Sequence, residues 1–151
     1  MTEEHPQRGY VATVLGCYCP RCRQGKLFKN KVAVSIKRNM DMNEFCPVCG
    51  QRTQIEVGFY YGTGYVSYLL ALIVTGIYFA IWFLLIGFSF TDNRFLWWII
   101  SNAVLLVVLQ PWLMRLSRSL WISWFVKYDP QWPNTKPDNG ERIVEEQMNN
   151  W

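Results

Sequence analysis

The chain has 151 residues, a formal net charge of +4 and an aromatic content of 17%. That length allows one compact soluble unit at most. The charge is also unevenly spread: residues 65–90 and 95–114 carry no Asp, Glu, Lys or Arg, while the polar ends hold almost all of them. A near-zero mean hydropathy therefore averages a polar head, an apolar middle and a polar tail, and does not indicate a soluble protein.

Residues 1–16 read as a flexible lead-in. Thr2, Glu3, Glu4 and His5 are acidic or neutral where a secretory signal would be basic, and no apolar core follows them. His5, the sole histidine, is expected to be an unliganded tail residue.

Next come Cys17-Tyr-Cys-Pro-Arg-Cys22 and Cys46-Pro-Val-Cys-Gly50, which contain two C-x-x-C pairs separated by 23 residues. Each pair can turn tightly about one ion, with Pro setting the turn and Gly50 supplying a positive-φ closing position. Cys19, Cys22, Cys46 and Cys49 are thus the expected metal ligands. Four thiolates make a closed tetrahedral site suited to zinc, although an iron tetrathiolate fits the same motif. Such a site is structural rather than catalytic, and it would fold a segment too small to support its own core.

Val32, Val34 and Ile36 alternate in one segment, and Arg52–Val57 alternates again. Two short strands, each tied to a knuckle, predict a small zinc-ribbon β head over residues 17–58. Cys17 is left over as a fifth cysteine. The lysines of this head are expected to meet anionic lipid headgroups or a partner rather than nucleic acid.

Residues 59–114 predict a two-helix transmembrane hairpin, with spans at 65–90 and 95–114. The first span, as a helix, reaches about 39 Å, more than the roughly 30 Å of a bilayer core. Tyr60, Tyr61 and Tyr65 read as an interfacial aromatic belt. Ser67, Ala71 and Thr75 form a small-residue stripe for a neighbouring helix, and Asn102 should face protein at membrane depth. Pro111 should kink the chain near its exit.

Residues 115–128 predict an amphipathic interfacial helix, with Arg115, Arg118 and Lys127 toward headgroups and Trp121 in the interface. The irregular tail, 129–151, ends in a short helix with Val144, Met148 and Trp151 on one face as a docking surface. Fourteen of the fifteen Lys and Arg residues flank the hairpin on the side of the termini. The positive-inside rule then places both termini in the cytoplasm of a two-pass bacterial inner-membrane protein. In that reducing compartment disulfides are not expected.

Taken together, Cys19-Pro-Arg-Cys22 with Gly25-Lys-Leu-Phe28, Cys46-Pro-Val-Cys-Gly-Gln51, Gly58-Phe-Tyr-Tyr-Gly62 and Arg115-Leu-Ser-Arg-Ser-Leu-Trp121 with Lys127-Tyr-Asp-Pro130 resemble the bacterial domain-of-unknown-function family nine-eight-three. The resemblance covers roughly residues 17–130. Arg23 departs from it, standing where a glycine is common. The resemblance implies a small cysteine-motif protein with a membrane hairpin and, at most, a link to respiratory-complex assembly. No catalytic constellation is visible. The expectation is a non-enzymatic accessory subunit or assembly partner of a larger membrane complex. The alternatives are a metal or redox assembly factor using labile thiolates and, less so, a membrane-tethered nucleic-acid-binding ribbon.

Overall fold

The computed structural model describes residues 8–32, 35–87, 89 and 92–137. His5, Val34, the tail helix and its Val144, Met148 and Trp151 lie outside the described residues. The elements are α1 (Tyr10–Leu15), α2 (Ile36–Asn39), a 3-10 turn (Phe59–Gly62), α3 (Thr63–Leu85) and α4 (Arg94–Phe125). Both α3 and α4 are long and apolar enough to cross a membrane.

The β head is not seen. Among the described residues there is no strand, only three isolated antiparallel bridges joining Tyr18 to Lys26, Phe28 to Met42 and Phe45 to Arg52. The described residues of the alternating segment, 31–32 and 35–37, pair with no strand. Ile36–Asn39 instead forms the single helical turn of α2, with the Asn39 amide donating to the Ser35 carbonyl at 2.8 Å. Arg52–Val57 diverges after one bridge. Thr53 turns inward and bonds the carbonyls of Asn43 and Glu44, and the chain bends at Glu56 toward α3. The head is a set of loops wrapped on a helix.

That helix is α4. It continues through Pro111 without a break and on to Phe125, so the separate exit helix expected at 115–128 is its last third. Beyond Met114 it extends about 16 Å further, a mast standing on the end of the apolar span. Leu113, Arg115, Ser117, Ser119 and Ile122 are its buried positions. Ile122 and Val126 join Leu27, Phe28, Phe59 and three of the cysteines in one core. The helix is inverted relative to a surface helix: its short polar residues point into the head, whereas Trp112, Trp124 and Phe125 point out. The lead-in also docks here. Ser119 donates to the Val14 carbonyl at 2.9 Å, which packs α1 against α4.

The hairpin is closed by small polar pairs. Ser67 hydrogen-bonds Ser117 at 2.8 Å, Tyr78 bonds Ser101 at 2.7 Å, and Asn102 reaches Thr75 at 3.5 Å. The stripe expected at Ser67, Ala71 and Thr75 thus meets α4 through its first and last members. At its base the indole of Trp121 lies where a side chain on Gly62 would sit, and it donates to the Phe59 carbonyl at 2.8 Å.

Candidate metal centre

Four sulfurs converge at the centre of the head. Cys19, Cys22, Cys46 and Cys49 lie within 4.8 Å of one another. The Cys19–Cys49 pair is separated by 3.8 Å and the Cys22–Cys46 pair by 3.7 Å. A regular tetrahedron with metal–sulfur bonds of about 2.3 Å has edges of about 3.8 Å, so the cluster has the dimensions of a tetrathiolate site. All four predicted ligands are brought together.

The two knuckles are built alike. In the first, the Cys22 and Gly25 amides donate to the sulfurs of Cys19 and Cys22. In the second, the Cys49 and Gln51 amides donate to Cys46 and Cys49. Four N–H dipoles aimed at sulfur offset the charge that four thiolates accumulate. The sulfurs also hydrogen-bond each other and share protons unequally: Cys22 is drawn well below the usual thiol range and Cys46 to about 7, while Cys19 and Cys49 are raised as the donors to them. Binding a cation to all four sulfurs therefore releases the protons that Cys19 and Cys49 hold.

Each knuckle closes in the left-handed region, at Gly50 with φ 70° and at Arg23 with φ 58°. A non-glycine residue there costs about 1–2 kcal/mol. Arg23 offsets this with contacts of its own, its guanidinium lying 4.0 Å above the Tyr128 ring and donating to the Arg8 carbonyl at 3.0 Å.

Gly25 is fixed by the site rather than by its dihedrals, because a Cβ there would collide with the Cys46 sulfur. We expect Gly25→Ala to lower metal affinity by about tenfold or more, since the sulfur must move off the tetrahedron; competition with a chromogenic chelator reads this directly.

Cys17 stays outside the cluster. Its thiol hydrogen-bonds Ser119, and burial raises it above the ordinary thiol value against the opposing pull of Arg115. Arg21, inside the first C-x-x-C, carries no local sequence signal of its role. It is buried and ties the tail to the second knuckle, donating to the Cys49 carbonyl, to Asp129 at 3.2 Å and to the Thr135 carbonyl at 2.8 Å.

Asp129 is held below the usual carboxylate value, first by the Thr135 hydroxyl and then by the Gln131 amide and Arg21. A carboxyl depressed by folding stabilises above its unfolded value, near 4, and that contribution is lost as pH falls through the folded value. Proteolysis at residues 130–137 should therefore accelerate as pH drops below about 4, and Asp129→Asn should show the faster cleavage already at pH 7.

The residues expected at the membrane interface divide in two. Tyr61, Tyr65 and Lys127 are exposed, as such a role requires. Arg115, Arg118, Tyr60 and Trp121 instead turn toward the head. Arg115, only 5% exposed, donates to the carbonyls of Asn39, Asn30 and Lys31 at 2.8–2.9 Å and lies 4.6 Å from the Phe28 ring centre. Arg118 donates to the Met40 carbonyl at 3.2 Å and stacks 5.0 Å over Tyr60, whose hydroxyl bonds the Thr53 carbonyl. The physical reason is valence. Loops without a sheet leave carbonyls unpaired, and an arginine fork serves several of them at once.

Asn39 is the partner that sequence reading missed. It is 1% exposed, donates to the Pro111 carbonyl at 2.7 Å and accepts from Arg115. Nothing in the turn-like run Asn39–Asn43 marks it for burial.

No family model matches the chain, and neither a curated protein nor a solved structure matches it. The four-cysteine cluster and the two apolar helices are compatible with a membrane metal-binding protein.

Proposed function

We propose that the chain is a non-enzymatic, two-pass membrane protein whose head is folded by a structural zinc ion and serves as an accessory or assembly partner of a larger membrane complex. The observation that carries this reading is the closure of the sulfur cluster. Four protein ligands at tetrahedral spacing leave no open position for water or substrate, the mark of a structural rather than a catalytic ion. Zinc is preferred to iron because a centre placed to hold loops on a helix needs no redox chemistry.

Head and tail gather at one end of the hairpin, where Arg21 joins residues 129–135 to the knuckle. With the excess of Lys and Arg on that side, the head lies in the cytoplasm of a bacterial inner membrane. The surface offered to other subunits is the outer face of α3 and α4, where Leu69, Leu72 and Ile73 on one helix and Val104, Val107 and Val108 on the other are exposed.

The metal-delivery alternative finds less support, because the leftover thiol of Cys17 is raised by burial and so is a poor nucleophile. The test is co-purification from native membranes in a gentle detergent, with zinc, iron and copper measured on the same sample. A stoichiometric membrane complex with one zinc per chain is the expected result. A solitary protein carrying substoichiometric metal or copper overturns it in favour of metal handling. The proposed link to respiratory-complex assembly predicts oxidase subunits among the co-purifying proteins.

A further inference from the structure

On the flank of the mast, at the level where the apolar span ends, a cleft of about 420 Å³ is lined by Lys26, Lys29, Lys31 and Arg115, with no carboxylate among its lining residues. Its remaining walls include Phe28, Val32 and Trp112. We propose that this cleft is a binding site for an anionic phospholipid of the surrounding bilayer, the phosphate seated among the cations and its apolar part against Trp112.

Three observations point to this occupant. First, the charge is unbalanced. Lys29 is paired with Asp41 at 3.0 Å, but Lys26, Lys31 and Arg115 have no ion pair among the described residues. Three unmatched cations converging on one cleft with apolar walls repel each other and favour an anion.

Second, Arg115 is held in place for the task. Its Nε and Nη2 donate to the Asn39, Asn30 and Lys31 carbonyls, which anchors the guanidinium on Phe28. Its Nη1 has no protein acceptor among the described residues, so a buried, pre-oriented cation keeps one amino group for a ligand.

Third, the cleft is continuous with the membrane-facing surface. Trp112 is half exposed on α4 one turn before Arg115, and Val32 and Leu15 add exposed apolar surface at the rim. A soluble phosphate would use the cations and leave these groups in water. A lipid uses both, with the indole at glycerol depth.

The test uses the full chain reconstituted in nanodiscs of equimolar phosphatidylglycerol and phosphatidylcholine, then ejected for native mass spectrometry. One retained phosphatidylglycerol in clear excess over phosphatidylcholine is expected. Lys26→Gln/Lys31→Gln should lower that preference by about tenfold or more, at roughly a factor of several per cation. Lys37→Gln/Arg38→Gln, on α2 and outside the cleft, should leave it unchanged. Metal content measured on each variant separates loss of the site from loss of the fold. Equal retention of the two lipids by the unaltered chain overturns the proposal. So does a preference that survives the Lys26/Lys31 change in metal-loaded protein, or one that 10-fold excess inorganic phosphate abolishes.

Discussion

Cys22→Ser is expected to abolish the head's fold while sparing the hairpin. Cys22 is buried, bonds Cys46 at 3.7 Å and accepts the Gly25 amide, so its loss removes a ligand and opens both knuckles. The described head has no strand ladder to fall back on. Structural zinc sites contribute on the order of 10–16 kcal/mol in apparent binding free energy, comparable to a typical domain's whole stability of about 5–15 kcal/mol. Limited proteolysis should cut the variant freely between residues 17 and 58 while α3 and α4 remain protected in detergent. A strong chelator added to the native protein should produce the same pattern. An intact, protease-resistant head in either experiment would show that the loops hold without the ion.

Arg115→Leu is expected to loosen the head from the mast, with a destabilisation of about 1–3 kcal/mol. The side chain has nearly the right apolar bulk to sit on Phe28, but it strands the carbonyls of Asn30, Lys31 and Asn39, each of which now receives a charge-assisted bond. Asn39 is buried whereas Asn30 and Lys31 are exposed; an unsatisfied buried acceptor costs about 1–3 kcal/mol, and a carbonyl that reaches water costs less. Arg115→Lys should recover less than half of the loss, because an ammonium cannot reproduce the planar fork that serves three carbonyls. Thermal unfolding of the metal-loaded protein, followed by near-ultraviolet circular dichroism of the head–helix aromatics, gives the comparison. Equal melting of Arg115→Leu and the native chain would mean the docking rests on Ile122 and Val126 alone.

The cysteine pairs were legible in sequence because metal geometry is local: two C-x-x-C turns need only come together for four sulfurs to reach tetrahedral spacing. The hairpin was legible because length and the absence of charge are properties of a run, independent of what packs on it. The absence of strands in the described head is not legible, for the opposite reason. Alternation at Val32, Val34 and Ile36 shows that a segment could be a strand, but a strand forms only beside a partner, and the head packs its loops on α4 instead. The same blindness hid the role of Arg115 and Arg118. Helical spacing gives the face on which they lie, and lipid headgroups are the usual neighbours of such a face. Here loop carbonyls take most of their donors, supplied by residues 75 and more positions earlier in the chain. Asn39 and Arg21 escaped notice because a buried polar residue is defined by its partners, and those partners are remote in sequence.

The proposal that a closed tetrathiolate zinc centre organises the head is tested most directly by zinc-edge X-ray absorption on the full chain purified from native membranes. A single shell of four sulfur scatterers at about 2.3 Å, unchanged by added ligands in solution, is expected. A shell with nitrogen or oxygen neighbours, or fewer than four sulfurs, would overturn the proposal, since an open or mixed site has a position to exchange and is not a closed structural ion.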